Sequence, residues 1–372
     1  MTVVRSPAEL GGRIAEAREV SGLTQAALAE RLGVDRTSVV RLEAGQRKVS
    51  AHELAEIAEI LGRPIDWFVV ASPPAVLSRR RDLASGHTTT LSLDREVERA
   101  ARDVEFLLDR GVLTWSRRRP AAIPTSHSDA ERLATDTRRW LRIAHEPLVD
   151  LAAHAEKLGV VAFSVDLDDT DEGACVELSG TGSHRLGVAV INGNQDPGRR
   201  RWTLAHELGH FLIGDAYAGT HPGGEIEKYL NSFVAHLLMP RSGVEKLWRT
   251  KADQGTRVAA LTLSARYRVS WSAACKHLCS LGLLDGPSSE RLREERPTPG
   301  DYLALGESWV EELCAPFVPP TYTQRVLSAY VDGELTAERT VELLRSTLRA
   351  SELPTQNPPS FKDLRTAFGP LP

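Results

Sequence analysis

In the middle of the chain two histidines stand four residues apart, with a glutamate directly after the first: His206-Glu207-Leu208-Gly209-His210. On a helix, positions four apart lie one turn above each other, so both imidazoles share a face. Leu204, Leu208, Phe211 and Leu212 make an apolar stripe on the opposite side. Two such imidazoles can bind one zinc ion, and Glu207 is then placed to take a proton from a water at that ion. The five-residue pattern is short enough to arise by chance, and two surface histidines would look the same. A catalytic zinc takes three protein ligands and keeps one position open, so a third ligand on a following helix is required.

The stretch from Glu225 to Met239 supplies that helix, stopped by Pro240. Its apolar face runs through Ile226, Leu230, Phe233, Val234 and Leu237. At about 100° per residue, Glu227 falls roughly 60° from the centre of this face and Glu225 roughly 140° from it. Glu227, at the rim of the buried side, is the expected third ligand, and Glu225 is the alternative. Asn231, one turn after Glu227, is placed to orient a ligand. His221 and His236 read as surface residues.

The segments "RRWTLAHELGHFLIG" and "EIEKYLNSFVAHLLMP" resemble the ImmA/IrrE family of metallopeptidases. That family shows a strand ending in Asn, here Leu186–Asn192 with "VAVIN", and an Arg-rich lead, here Arg199-Arg200-Arg201. Leu230 and Val234 replace the family's usual alanines, apolar for apolar. The resemblance implies a zinc-dependent endopeptidase that cleaves a specific regulatory protein, often a repressor.

The totals set the wider frame. A chain of 372 residues holds two or three domains. A formal net charge of −4 carries no global nucleic-acid signal, so any basic patch is local. Cys175, Cys275, Cys279 and Cys314 are scattered, no secretory signal is recognisable, and reduced thiols in a cytoplasmic protein are expected. Cys275 and Cys279 read as core residues rather than a second metal site. No apolar run is long enough to cross a membrane.

Residues 6–72 read as five short helices. Ser6-Pro7 opens the first, Thr24 caps the second, Asp35 the third and Ser50 the fourth, with glycines 22, 33, 45 and 62 closing them in turn. Pro64 begins a last turn with Trp67 and Phe68. Two short helices joined by a tight Gly-containing turn are the helix-turn-helix signature. "LTQAALAERLGVDRTSVVRLEAGQRKVSAHELAEIAEILG" resembles the XRE/Cro-type repressor domain, which lays its third helix in the major groove. The resemblance implies base or phosphate contacts from Arg36, Thr37, Ser38 and Arg41. It also implies backbone contacts from Gln25, Arg47 and Lys48.

Between the two regions, a helix from about Ser92 to Leu108 carries Val97, Ala101, Val104 and Leu108 on one seam. It reads as a short dimer coiled coil or as a helix packed on a neighbour. Arg117–Ser128, rich in Pro, Ser and Arg, reads as a linker within residues 73–129. The peptidase domain is expected over 130–245, with helices at about 130–142 and 147–158. Strands follow at Val160–Val165, Ala174–Leu178 and Leu186–Ile191. The last of these, or a neighbour, is the expected edge for pairing an extended substrate. Residues 246–285 have helix-turn-helix rhythm with Ser270 as a cap. Residues 286–372 begin as a loop, continue as helices near 322–331 and Thr336–Arg349, and end in a loose tail.

The reading is a mainly α protein with a small β-sheet (α+β). It is a cytoplasmic regulator that binds an operator in double-stranded DNA, in the manner of a homodimer on paired half-sites. It carries a zinc peptidase acting on a protein substrate such as a repressor. His206, His210 and Glu227 hold the metal, Glu207 is the base, and Mn2+ or Fe2+ suits the same donors. His236, Tyr217 and Tyr229 are candidates for the oxyanion donor. Two alternatives stay open. One is a non-catalytic, antitoxin-like factor using the zincin-like domain as a sensor, against which the intact Glu207 speaks. The other is a repressor that cleaves itself in the 117–128 linker.

Overall fold

The computed structural model describes residues 6–63, 65–69, 91–117, 120–167, 172–214, 225–307 and 311–357. They form two compact units, divided after Pro74.

The first unit is built from α1 (Pro7–Val20), α2 (Gln25–Arg31), α3 (Arg36–Glu43), α4 (Ala51–Ile60) and α5 (Ile65–Val69). Short polar residues start the first four. Ser6, Thr24, Asp35 and Ser50 each accept the backbone N–H three residues on, at 3.1, 3.1, 2.8 and 3.1 Å, which satisfies one of the free donors at each helix start. Ile14, Leu28, Val39, Leu42, Ile57, Trp67 and Phe68 meet in one core. Gly45 (φ 69°) turns the chain after α3, and a Cβ there would lie 2.5 Å from the backbone of Ala8, so only glycine fits. Arg18 Nε donates to Glu43 Oε1 at 2.6 Å and Gln25 Nε2 to Glu43 Oε2 at 2.8 Å, clipping α1 and α2 to α3.

The second unit is organised by a three-stranded sheet of β1 (Val160–Val165), β2 (Gly173–Ser179) and β3 (Arg185–Asn192) in the order β1-β3-β2. β1 runs parallel to β3, with Ala162 opposite Ala189, and β2 antiparallel to it, with Cys175 also opposite Ala189. Alternate residues feed two cores. Val160, Ala162, Cys175, Ala189 and Ile191 join the core on one face, while Val161, Phe163, Val176, Val188 and Val190 join the other. All eight residues of β3 are buried. The sequence offered β3 first as a free edge, and that expectation is overturned: pairing on both sides makes β3 central, and the edges are β1 and β2.

On the first face lie α8 (Leu151–Leu158), the long α9 (Pro197–Ile213), α10 (Glu225–Leu238) and α7 (His127–Trp140). On the second lie α6 (Leu91–Asp109) and α16 (Pro320–Val331). The seam of Val97, Ala101, Val104 and Leu108 is buried against the sheet of its own chain, so it is not free to zip with a second copy. The remaining helices are α11 (Arg241–Lys251), α12 (Thr256–Tyr267), α13 (Trp271–Ser280), α14 (Gly286–Glu294), α15 (Pro299–Ala304) and α17 (Ala337–Leu343).

Several local expectations shift. The helix expected from 147 starts at Leu151, because Asp150 (φ 55°) turns there and caps Ala153 N at 3.3 Å. The polar stretch 286–300, read as a loop, holds α14 and the start of α15. Asp285 caps the former, accepting from Ser288 N at 2.7 Å, and Thr298 and Asp301 cap the latter reciprocally. The helix expected to reach Arg349 ends at Leu343, since Arg345 and Ser346 turn left-handed at φ 53° and 57°. The described part of 117–128 is held in place: Ala121 N donates to Leu212 O at 2.7 Å and Ser126 caps α7. Arg79-Arg80-Arg81, Arg118, Arg119 and the tail beyond Asn357 lie outside the described residues.

Candidate metal centre

α9 begins with Asp196 accepting from Arg199 N at 3.1 Å, with Pro197 at its first position, and ends at Gly214 (φ 75°). Its buried residues Leu204, Ala205, Leu208, Phe211 and Leu212 leave His206, Glu207 and His210 half-buried on the other side. Gly209 faces α10. A Cβ there would sit 3.0 Å from Leu230 Cδ2 and 3.1 Å from Phe233 Cδ1, so its bare backbone lets the two helices approach closely. That approach carries the first turn of α10 up to the histidines.

The result is a cluster of three side chains. His206 Nε2 lies 3.1 Å from His210 Nε2 and 3.1 Å from Glu227 Oε2, and His210 Nε2 lies 3.3 Å from Glu227 Oε1. In a tetrahedral site with bonds of about 2.1 Å, donor atoms lie about 3.4 Å apart. The donor set of two imidazole nitrogens and one carboxylate, at these separations, fits a divalent ion such as zinc. Hydrogen bonds from His206 and His210 hold the Glu227 carboxyl far below the ordinary carboxylate range, against the opposing effect of burial. Glu227 thus stays anionic. Glu225 is exposed on the same turn.

Around the trio, Trp202 lies one turn before His206, and its indole N–H donates to Asn231 Oδ1 at 3.4 Å. Asn231, expected to orient a ligand, is thus engaged by the neighbouring helix. Tyr229 is half-buried, its ring edge-on to His127 at 5.4 Å. Tyr217 and His221 lie outside the described residues. His236 departs from expectation: it is not on the surface but 8% exposed, and it sits nine residues past Glu227, roughly 13 Å along α10. There its ring meets His277 at 4.8 Å. Burial lowers the pKa of both, that of His277 to about 4.

The arginine lead has a structural task that its sequence did not disclose. Arg201 is buried and donates to Leu148 O at 2.6 Å, Arg268 O at 3.1 Å and the Glu312 carboxylate. Arg200 donates to Gly193 O at 2.9 Å and to Glu311. These bonds fix the start of α9 to the end of β3 and to a distant loop. No local signal announces a partner 111 residues away.

On the first unit, Arg36, Thr37, Arg41 and Lys48 are exposed. Ser38 is half-buried, and its hydroxyl donates to Asp35 Oδ2 at 2.8 Å. Arg47 Nη1 donates to Glu53 Oε1 at 2.6 Å, and Gln25 is tied to Glu43 as described. Three of the expected DNA contacts are therefore engaged inside the protein.

Residues 14–68 match the helix-turn-helix family model and residues 155–278 the IrrE N-terminal-like domain. The radiation response metalloprotease IrrE of Deinococcus radiodurans is 30% identical over 143 residues, 36% of this chain and 36% of that protein. An uncharacterized transcriptional regulator in the ATPase CF(0) region of Rhodospirillum rubrum is 36% identical over 67 residues, 18% of this chain and 62% of that protein. The chain thus spans about a third of the first relative and under two thirds of the second. Among solved structures, Bacillus thuringiensis PlcR in complex with the peptide PapR7 and DNA is 12% identical. That match covers 92% of this chain and 93% of that one at a TM-score of 0.18, too low to carry an argument. No described helix is long and apolar enough to cross a membrane.

Proposed function

Carrying a helix-turn-helix domain and an IrrE N-terminal-like peptidase domain, this chain is, we propose, a DNA-binding transcriptional regulator with a zinc-dependent endopeptidase that cleaves a specific regulatory protein, such as a repressor. The observation that supports this most is the convergence of His206, His210 and Glu227 within 4.8 Å, with Glu207 beside them on α9. His206, His210 and Glu227 would hold the ion, and manganese or iron suits the same donors. A zinc ion there supplies Lewis-acid activation of water and of the scissile carbonyl.

The chain's own groups do the rest. Glu207 takes the proton of the attacking water and hands it to the leaving amine. Glu227, kept anionic by its two histidine partners, holds negative charge at the centre. The edge strand β2, packed against α9, offers its outer backbone to an extended substrate segment. On the first unit, α3 enters the major groove with Arg36, Thr37 and Arg41, and Gln25, Ser38, Arg47 and Lys48 serve nearer the backbone. We place the protein in the cytoplasm, as a dimer on operator half-sites.

The test is Glu207→Gln, which keeps every metal donor. Extracts of producing cells are searched for new protein N-termini generated by the wild-type chain. Specific termini are expected with wild type and none with the variant, at equal metal content. Cleavage that persists with Glu207→Gln removes Glu207 from its role.

A further inference from the structure

α3 has two sides. Val39 and Leu42 are buried at 0% and 1% exposure, and the other side presents Arg36, Thr37, Val40, Arg41 and Ala44 to solvent. Val40 is 40% exposed, at the middle of that face. It stands one turn after Arg36 and Thr37, beside Arg41 and one turn before Ala44. Residues three and four apart on a helix are neighbours, so these five form one continuous patch with an apolar centre and cationic flanks. Ser38, whose hydroxyl is turned back to Asp35, drops out of it.

We infer that Val40 reads a thymine methyl group in the major groove, making a thymine close to guanine a required feature of the half-site. This rests on the DNA-binding reading of the first unit. In the major groove every base pair offers hydrogen-bonding atoms, and thymine alone adds a methyl group. An isopropyl side chain can neither donate nor accept. Pressed against the polar edge of guanine, adenine or cytosine, it strips water from groups it cannot satisfy. Pressed against the thymine methyl, it buries apolar surface on both sides. Valine on a helix holds essentially one rotamer, so little freedom is lost on contact. Arg36 and Arg41, longer and forked, reach past it to guanine N7 and O6 or to phosphates.

The experiment begins with selection of binding sites by the full chain from random double-stranded DNA. Each thymine of the enriched half-site is then replaced by uracil, which deletes the methyl group and nothing else, and affinity is measured at one fixed salt concentration. One replacement is expected to weaken wild-type binding about three- to fivefold, the worth of one buried methyl. Val40→Ala is expected to bind the thymine site more weakly and to lose most of that discrimination. The exposed position makes misfolding of this variant no concern, and the uracil series needs no variant at all. If every uracil replacement is silent with wild type, or if Val40→Ala keeps the full penalty, the inference is overturned. If no sequence is enriched, the DNA-binding reading beneath it fails instead.

Discussion

Two histidine pairs in the second unit share a ring separation of 4.8 Å and similar edge-to-face tilts, 70° and 80°. His206 and His210 lie a turn apart on α9 with side chains 20% and 18% exposed, and both Nε2 atoms turn toward each other and toward Glu227. His236 and His277 meet across α10 and α13 at 8% and 3% exposure. In that second pair one imidazole and the nearest carboxylate are already engaged elsewhere. His277 Nε2–H donates to Met239 O at 2.8 Å. Glu131, 3.7 Å from His236, is gripped by Arg241 through bonds of 2.6 and 2.9 Å. In the proposed reading, close imidazoles alone do not make a metal centre; an anionic carboxylate must face both. What distinguishes the first pair is that both Nε2 atoms converge, with each other, on one half-exposed anionic carboxylate.

The largest changes in metal binding are expected at the first pair. His206→Ala combined with His210→Ala is expected to abolish metal binding, while His277→Gln leaves metal content unchanged; mass spectrometry of the native protein reads both. Glu227→Ala should weaken zinc binding by more than about a hundredfold, beyond the range for residues that only support a ligand, and competition with a chromophoric chelator measures it. Equal loss from Glu225→Ala would reassign the third ligand.

The second pair should instead govern acid stability. Unfolded His277 takes up a proton near its ordinary value of 6.5, while burial holds the folded group to about 4. Protons therefore bind the unfolded state first, and stability falls as pH drops from about 6.5 toward 4, by on the order of a few kcal/mol. His236 is depressed in the same direction. Denaturant titrations at pH 7 and pH 5 should show this loss, reduced in His277→Gln, which can still donate to Met239 O. An unchanged slope in the variant would assign the acid sensitivity elsewhere. The smallest effect is expected from Asn231→Ala, which removes the acceptor of Trp202 and should change zinc affinity less than about tenfold.

Much of this was legible where the signal is local. The spacing of His206 and His210 fixes their common face within one turn, and the helix starts at Ser6, Thr24, Asp35 and Ser50 follow from residues that fill the donors beside them. The angle of Glu227 to its apolar stripe indicated which glutamate could turn toward α9. What stayed hidden depends on distant partners. The buried tie of Arg201 to Glu312 and the central place of β3 are pairings that no window of sequence contains. His236 looked like a surface residue because α10 has one evident apolar stripe, but α7 and α13 cover it on further sides. The helices α14 and α15 were hidden by their polar composition, although Asp285 and Thr298 carried the cap signals.

In the proposed reading His206, His210 and Glu227 form the metal centre and His236 and His277 do not. The most direct measurement is zinc per chain in purified wild type, His206→Ala/His210→Ala and His277→Gln, each after exposure to zinc and removal of the excess. About one zinc per chain is expected in wild type and in His277→Gln, and none in the double variant. Zinc retained by the double variant, or none bound by wild type, would contradict it.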